Sequence, residues 1–343
     1  MNRQHPLYKQ DLDNILAIKG LEKLNGKTIL ITGATGLIGT QLIDALVQWN
    51  RKGGEVKILA ASRHYENLTE RFGDYKLSDR LFFLEQDALM PFPENLNVDF
   101  IVPLASNTHP LAYSRLPVET MLINLKGADN ALYLARNCNA TVLYPSTVEV
   151  YGNAHGNDIF TEDYTGNLNL SNSRACYTES KRSSEALCQS YIAEYGVKVK
   201  IARLSRVFGP TVKASDTKAS SQFIQKAING EDIVLKSEGN QFFSYTYVAD
   251  AVSALLYIML HGENGEAYNI ANESCNVHLK DFAQACADVS GTKVIFDLPS
   301  ETERKGYSVA TTAILDNSKL KAIGWKPIYT FKDALRRTIE IMK

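Results

Sequence analysis

The sequence predicts an α/β fold built on a doubly wound parallel sheet, with a smaller α/β lobe at the C-terminal end. Short apolar runs alternate with helix-like stretches through the first two thirds of the chain. Each run is apolar throughout, as in strands buried on both faces. A glycine-rich segment follows the first run, and a Tyr-x-x-x-Lys motif opens a later helix. The predicted strands are Thr28–Thr32, Val56–Ala61, Leu81–Leu84, Phe100–Leu104, Thr141–Pro145 and Val199–Leu204.

Helix-like stretches separate these runs and allow right-handed crossovers between parallel strands. The carboxyl ends of the strands then share one edge, so the loops after them line a common cleft. The predicted helices are Leu12–Lys23, Gly36–Asn50, Val118–Asn137 and Tyr177–Tyr195, followed in the looser second part by Ser220–Asn229, Val248–Leu260, Leu279–Ser290 and Phe331–Met342.

This change of pattern after Leu204 predicts the division of the chain. We expect an N-terminal extension at 1–25, a nucleotide-binding domain at 26–205 and mainly a substrate-binding lobe at 206–343. The segment near 243–262 looks like a strand entering a helix, and we expect it to return to the first domain.

Composition narrows the possible functions. The chain has 343 residues, 45% of them hydrophobic, and a net charge of −1, so it lacks the basic face that nucleic acid requires. No apolar run approaches the ~20 residues that span a bilayer, and the start resembles no secretion signal. We therefore expect a cytoplasmic protein. Five cysteines without Cys-x-x-Cys spacing predict free thiols and no metal site.

The glycine-rich segment is Gly33-Ala34-Thr35-Gly36-Leu37-Ile38-Gly39. Between a strand and a helix, such a turn lets main-chain N–H groups approach a pyrophosphate at the helix N-terminus. A strand-to-helix turn that binds no ligand also fits this spacing. The interpretation as a dinucleotide site therefore depends on the other motifs of the chain.

The second motif is Tyr177-Thr178-Glu179-Ser180-Lys181. Residues four apart share a helix face, so the Lys181 ammonium can favour the Tyr177 phenolate. Tyr-x-x-x-Lys also occurs by chance on solvated helix faces. Here Ser146-Thr147 precedes it and the glycine turn comes earlier still, so the combined pattern predicts a dinucleotide held beside a tyrosine base.

With these motifs in place, the chain resembles the extended short-chain dehydrogenases/reductases of the nucleotide-sugar epimerase/dehydratase group. The resemblance runs from about Lys27 to Trp325 and includes Leu104-Ala105-Ser106, Asn124, the segment 144–152, Ala202-Arg203-Leu204 and Phe208-Gly209-Pro210. It implies a Rossmann fold, bound NAD(P), a nucleotide-sugar substrate and a homodimer formed by Val118–Asn137 and Tyr177–Tyr195. Synthesis of polysaccharide precursors is the usual setting of the group.

The resemblance also implies roles for individual residues. Tyr177 would be the base, Lys181 its electrostatic partner and a ligand of the nicotinamide ribose, and Thr147 a hydroxyl relay. Ser146 and Asn107 would join Thr147 at the substrate. The implied cofactor ligands are Gly33, Thr35, Gly36, Leu37, Ile38, Gly39, Ser62, Arg63, Asp87, Ala88, Leu104, Ala105, Ser106, Asn124, Tyr177 and Lys181.

The end of the second strand bears on the choice of cofactor. NAD-specific relatives carry an acidic residue there, whereas this chain has Ser62-Arg63, which can accept a 2′-phosphate. NADP is slightly favoured and NAD remains open, because Arg63 can also point to water. Asp87 matches the residue that meets the adenine amino group in relatives, and it can equally cap a turn.

Departures from relatives bear on the reaction. Sugar dehydratases carry Thr-Asp-Glu and many UDP-glucuronate decarboxylases Thr-Ser-Glu where this chain has Thr147-Val148-Glu149. Val148 donates no proton, as in simple 4-epimerases, which favours epimerisation. The segments 174–177 and 185–188 nevertheless resemble the decarboxylase branch. Glu149 is either a second acid/base or a support of the loop.

Substrate recognition also departs from the family. Arg206 stands where relatives have an asparagine on the nucleotide diphosphate, and Phe243 replaces a family arginine. Arg206 can still bind phosphate, and Arg304 lies where relatives place a basic residue. An acceptor other than a standard UDP-hexose is the alternative.

Overall fold

Seven parallel strands form the central sheet of the computed structural model, which describes residues 2–108, 110–156, 158–298 and 311–343. In the described residues the strands are β1 (Thr28–Thr32), β2 (Lys57–Ser62), β3 (Leu81–Glu85), β4 (Phe100–Pro103), β5 (Thr141–Thr147), β6 (Ile159–Phe160), β7 (Lys198–Leu204), β8 (Arg206–Phe208), β9 (Ile233–Leu235), β10 (Phe242–Tyr247), β11 (Ala267–Ile270), β12 (Asn276–His278), β13 (Val294–Phe296) and β14 (Thr312–Leu315).

The helices surround these strands. They are α1 (Pro6–Leu16), α2 (Leu37–Arg51), α3 (Tyr65–Phe72), α4 (Pro110–Arg115), α5 (Pro117–Cys138), α6 (Ala175–Tyr195), α7 (Ala219–Asn229), α8 (Val248–His261), α9 (Leu279–Ser290), α10 (Ser318–Ala322) and α11 (Phe331–Met342). Short 3-10 helices lie at Leu21–Leu24, Leu77–Asp79, Val148–Tyr151 and Glu273–Cys275.

The order of the central sheet is β11-β7-β5-β4-β1-β2-β3. The chain moves outward from β1 to β3, then returns to β4 and moves outward in the opposite direction. A crevice therefore opens between β1 and β4 at the carboxyl ends of the strands, as in doubly wound sheets. The predicted Rossmann fold is confirmed, although β11 was missed at the edge because Ala267–Ile270 is a short run.

The apolar runs divide their side chains between two cores. Ile29 and Ile31 of β1 belong to the core with α1, α2 and α8, whereas Leu30 belongs to the core with α5 and α6. Alternate residues of a strand face opposite sides of the sheet. This division explains why the strands are apolar at successive positions.

The N-terminal helix corrects the sequence prediction of Leu12–Lys23. It spans Pro6–Leu16, where Pro6 occupies a favourable first-turn position and the His5 side chain accepts the Leu7 N–H at 3.3 Å. Gly20 then adopts a left-handed conformation, with φ of +84°, and separates this helix from the 3-10 turn at Leu21–Leu24.

Smaller sheets lie in the second half of the chain. One has the order β12-β10-β14-β6, with β8 also paired to β10, and β13 pairs with β9. Helix α8 follows β10 directly and packs against α1, α2 and β7 of the central sheet. Within the described residues, no helix has the length and apolar character required to cross a bilayer.

Candidate active site

A cavity of about 590 Å³ lies along the carboxyl ends of the central strands. It extends from the glycine-rich turn, past the ends of β2 and β4, to the start of α6 and the strands β8 and β10. Thus one cavity brings together motifs that lie far apart in the sequence. Its volume lies within the ordinary range of small-molecule and cofactor sites.

The glycine-rich turn forms one end of this cavity. Gly33 has φ of +61°, and a Cβ atom there would lie 2.7 Å from the main-chain nitrogen of Ala105. A Cβ on Gly39 would lie 2.6 Å from the Gly33 carbonyl oxygen. The turn can therefore pack against the loop after β4 and the start of α2 only without these side chains. Gly33, Thr35, Gly36, Leu37, Ile38 and Gly39 all line the cavity.

The segment after β8 crosses this turn. The Thr211 hydroxyl donates to the Leu37 carbonyl oxygen at 2.7 Å, and the Lys213 ammonium donates to the Thr35 hydroxyl at 3.1 Å. Partial desolvation lowers the pKa of Lys213, although the residue remains exposed, and the nearby Arg71 lowers it further. Lys213 lines the cavity and places a cation beside the N-terminus of α2.

The ends of β2 and β3 form the adjoining wall. Arg63 pairs with Glu119 of α5, with 3.2 Å between Nη1 and Oε1, so its guanidinium has a protein partner. Asp87 caps its turn by accepting the Leu89 N–H at 2.9 Å, and it lines the cavity beside Ala88. Ser62 and Arg63 also line the cavity.

Tyr177 lies in the first turn of α6 and is 7% exposed. Burial raises the pKa of its phenol, the Glu149 carboxylate raises it further, and a hydrogen bond with the Thr147 hydroxyl opposes the shift. The ring stacks on Tyr113 with 4.8 Å between centroids. Proton removal from Tyr177 therefore requires additional positive charge beside it.

Lys181 lies one turn further along α6. Its ammonium donates to the Pro145 carbonyl oxygen at 2.9 Å and lies 4.9 Å from the centroid of the Tyr144 ring. Burial lowers the pKa of Lys181 to about 8, with Glu185 opposing the shift. Lys181, Tyr177 and Thr147 all line the cavity.

Glu149 points into the cavity. It accepts the Thr178 hydroxyl at 3.4 Å and lies 4.0 Å from the Arg174 guanidinium. Val148, between Glu149 and Thr147, is buried and lines the same wall. A carboxylate therefore faces the site, whereas the position beside the Thr147 hydroxyl is apolar.

Two strands bring Arg206 and Phe243 together. The guanidinium carbon of Arg206 lies 3.6 Å from the centroid of the Phe243 ring. Arg206 Nη1 is buried and has no hydrogen-bond partner among the described residues. Burial lowers the pKa of Arg206. Both residues line the cavity.

Other predicted residues complete the walls or support them. Leu104, Ala105, Ser106 and Asn107 line the cavity after β4, and Ser146 lines it after β5. The Ser146 hydroxyl donates to Glu185, which also forms an ion pair with Arg203 at 2.7 Å.

Asn124 lies behind this wall. Its side chain accepts the Ser106 hydroxyl at 2.8 Å and donates to the Ser180 hydroxyl at 2.9 Å, so it joins the loop after β4 to α6. Arg304 lies outside the described residues.

Sequence reasoning did not assign a site role to Tyr113 or Arg174. Both line the cavity, and the Arg174 guanidinium lies 5.9 Å from the centroid of the Tyr113 ring. Arg174 precedes Tyr177 by three residues, and this helical spacing was an available signal. Nothing in the local pattern around Tyr113 indicates that it stacks on Tyr177.

Comparison with known proteins gives a consistent result. A family model described as NAD dependent epimerase/dehydratase family matches residues 29–271. UDP-glucuronic acid decarboxylase 6 of Arabidopsis thaliana is 31% identical over 314 residues, which cover 90% of this chain and 86% of that protein. UDP-glucuronic acid decarboxylase 1 of Xenopus tropicalis is 28% identical over 330 residues, 95% of this chain and 74% of that protein.

Solved structures share the fold. A UDP-glucuronic acid 4-epimerase of Bacillus cereus, in complex with UDP-glucuronic acid and NAD, superposes with a TM-score of 0.76 at 21% identity. The match covers 92% of this chain and 98% of that one.

Proposed function

The chain belongs to the NAD dependent epimerase/dehydratase family, and we propose that it is a nucleotide-sugar epimerase acting through a transient 4-keto sugar. One observation carries this proposal. Thr147, Tyr177 and Lys181 line the same cavity as the glycine-rich turn, while the neighbouring Val148 supplies no proton for an elimination.

The residues present fit a dinucleotide. The bare Gly33 and Gly39 allow the tight turn, and the N-terminus of α2 favours a pyrophosphate there. Ser62 and Arg63, on the wall adjoining the glycine-rich turn, favour NADP slightly over NAD. A nicotinamide cofactor, when bound, supplies the hydride acceptor and donor.

Protein side chains carry out the proton transfer. Tyr177, as phenolate, takes the proton of the sugar C4 hydroxyl while hydride leaves C4, so the carbon becomes a ketone. The Thr147 hydroxyl opposes the burial that raises the pKa of Tyr177. We assign a further stabilisation of the phenolate to the Lys181 ammonium, one helical turn away. Return of hydride to the opposite face of C4, with return of the proton to oxygen, inverts that carbon without net oxidation.

We also propose the oligomeric state and the roles of the two parts of the chain that the sequence predicts. Residues 26–205 hold the cofactor, and 206–343 contribute mainly to the sugar nucleotide. A homodimer forms through α5 and α6, which pack on each other and expose Val118, Tyr133 and Tyr195. The cytoplasmic location and the role in polysaccharide precursor synthesis stay predictions.

Decarboxylation of UDP-glucuronate is a second candidate. Two relatives named UDP-glucuronic acid decarboxylase match 90% or more of the chain. In addition, Glu149 faces the cavity beside Arg174. A 4-ketone lies β to the C6 carboxylate, so carbon dioxide can leave with the bonding electrons delocalised into the carbonyl. Protonation at C5 and return of hydride to C4 complete that reaction.

Product analysis tests the proposal. UDP-, CDP-, GDP- and dTDP-sugars, including UDP-glucuronate, are incubated with the protein and NAD or NADP, then examined by mass spectrometry and proton NMR. We expect an isobaric product inverted at C4 and a flat nicotinamide absorbance. Loss of carbon dioxide would assign the enzyme to the decarboxylases, and loss of water would assign it to the dehydratases. A steady change in nicotinamide absorbance would indicate a net oxidoreductase. Tyr177→Phe should abolish turnover while cofactor binding persists.

A further inference from the structure

Arg206 is unusual among the arginines described in this structure, since its Nη1 is buried and lacks a protein partner. Arg203 illustrates the usual arrangement, because Glu185 binds its guanidinium in the same half of the sheet. The Arg206 side chain is partly buried, and leaving its buried Nη1 without a hydrogen-bond acceptor is costly, which indicates a ligand in the cavity that supplies the acceptor.

The strand pairing holds this guanidinium in place. Arg206 of β8 is the register partner of Tyr245 in β10, and Phe243 lies two residues earlier on the same face of that strand. The ring of Phe243 covers one face of the guanidinium at 3.6 Å. Stacking of this kind restricts the side chain and leaves its N–H edge for hydrogen bonding.

A second polar side chain that lines the cavity also has a buried atom without a partner among the described residues. The side-chain amide of Gln241 lines the cavity, and its Oε1 has no hydrogen-bond partner in the described part of the chain. Glu149 is the carboxylate that contributes to the electrostatics of Arg206, and Arg174 opposes it. Since Glu149 lies nearest to Arg174 and Thr178, it leaves Arg206 without an ion pair.

We propose that Arg206, supported by Phe243, binds a pair of anionic oxygens on the substrate and thereby restricts the enzyme to sugar nucleotides that present them there. The inference rests on the proposed function. Two groups of a sugar nucleotide offer this chemistry: the diphosphate and the carboxylate of a uronosyl group. Both match the planar fork of arginine in a bidentate hydrogen bond.

Binding measurements separate the two sources. In a Tyr177→Phe background with bound cofactor, which keeps the sugar unconverted, Kd is measured by calorimetry for UDP, UDP-glucose and UDP-glucuronate. Arg206→Met should weaken binding by about 10- to 100-fold, as expected for charge-assisted hydrogen bonds. An equal loss for the three ligands assigns Arg206 to the diphosphate. A loss confined to UDP-glucuronate assigns it to the carboxylate.

Control variants make the result decisive. Arg336→Met removes an exposed guanidinium from α11 and should leave all three affinities unchanged. Arg206→Lys keeps the charge but loses the planar fork, so we expect a smaller loss, and this variant replaces Arg206→Met if the latter fails to bind cofactor. Phe243→Leu should weaken the same ligands by several-fold.

Unchanged affinities for all three ligands in Arg206→Met, or in Arg206→Lys where it takes that place, would overturn the inference. Turnover by the unmodified protein is scored separately. Failure to convert any sugar nucleotide overturns the proposed epimerase, whereas a loss of affinity in the Arg206 variants would still stand.

Discussion

Replacing Glu149 by glutamine tests what this carboxylate does. Glu149 faces the cavity and, after burial, is the largest cause of the raised pKa of Tyr177. In the proposed epimerase it moves no proton. Glu149→Gln therefore removes a negative charge beside the base while keeping the shape of the side chain and its contact with the Thr178 hydroxyl.

The size of the effect follows from Coulomb's law. At an effective dielectric constant of about 20, two unit charges about 7 Å apart interact by about 2.4 kcal/mol, or about 1.7 pKa units. The Glu149 side chain is 29% exposed. Solvent screening reduces the interaction, and we expect the pKa of Tyr177 to fall by about one unit.

The assay is the pH dependence of kcat/KM. Since the base acts as phenolate, kcat/KM rises with pH through the pKa of Tyr177, and a lower pKa moves this limb to lower pH. Glu149→Gln should therefore shift the acidic limb down by about one pH unit and keep the plateau within about tenfold. Glu179→Gln is the matched control, because Glu179 lies on the same helix but pairs with Arg182.

A different profile would refute this reasoning. If the plateau falls by about 100-fold or more at every pH without a shift of the limb, Glu149 transfers a proton. A reaction that needs a second acid/base, such as decarboxylation, elimination or epimerisation at C5 or C3, would then replace simple 4-epimerisation.

Three further predictions concern the cofactor. Gly33→Ala should raise the cofactor Kd at least about tenfold in a fluorescence titration, because the added Cβ would collide with the loop after β4. Gly26→Ala is the control, since Gly26 also has a positive φ but lies in open space. This variant should leave the cofactor Kd unchanged. Glu119→Gln frees Arg63 from its ion pair, so the Kd for NADP divided by the Kd for NAD should fall. Arg63→Ala should raise the same ratio. Unchanged ratios in both variants would contradict an interaction of Arg63 with the 2′-phosphate. Lys213→Met should weaken cofactor binding by about fivefold and reduce its dependence on salt, as expected for loss of one charge near a helix N-terminus.

The central sheet could be predicted from the sequence because most of its strands have a recognisable residue pattern of their own. Buried parallel strands are apolar at successive positions, and this pattern marks β1 and β5 without knowledge of their neighbours. The start of α1 at Pro6 was missed because the prediction followed the apolar residues rather than the proline that begins the helix. The short edge strand β11 carries too few residues for a clear pattern.

The motif to which we assign catalysis was also predictable from local sequence. Tyr177 and Lys181 lie one helical turn apart, so the spacing predicts a shared face. The contact between Lys213 and Thr35 joins residues 178 positions apart, and the stacking of Arg206 on Phe243 depends on the pairing of β8 with β10. No local spacing encodes these contacts, because they arise from the arrangement of the smaller strands.

The long-range contacts also organise the charge of the cavity. Arg63 is paired with Glu119, and among the described residues Lys213 and Arg206 have no carboxylate within ion-pair distance. Lys213 contacts Thr35 of the glycine-rich turn, whereas Arg206 stacks on Phe243 of β10. In the proposed function, Lys213 attracts the diphosphate of the dinucleotide, and Arg206 binds an anionic group of the sugar nucleotide, either its diphosphate or its uronosyl carboxylate. Each ligand therefore has its own cation in the cavity.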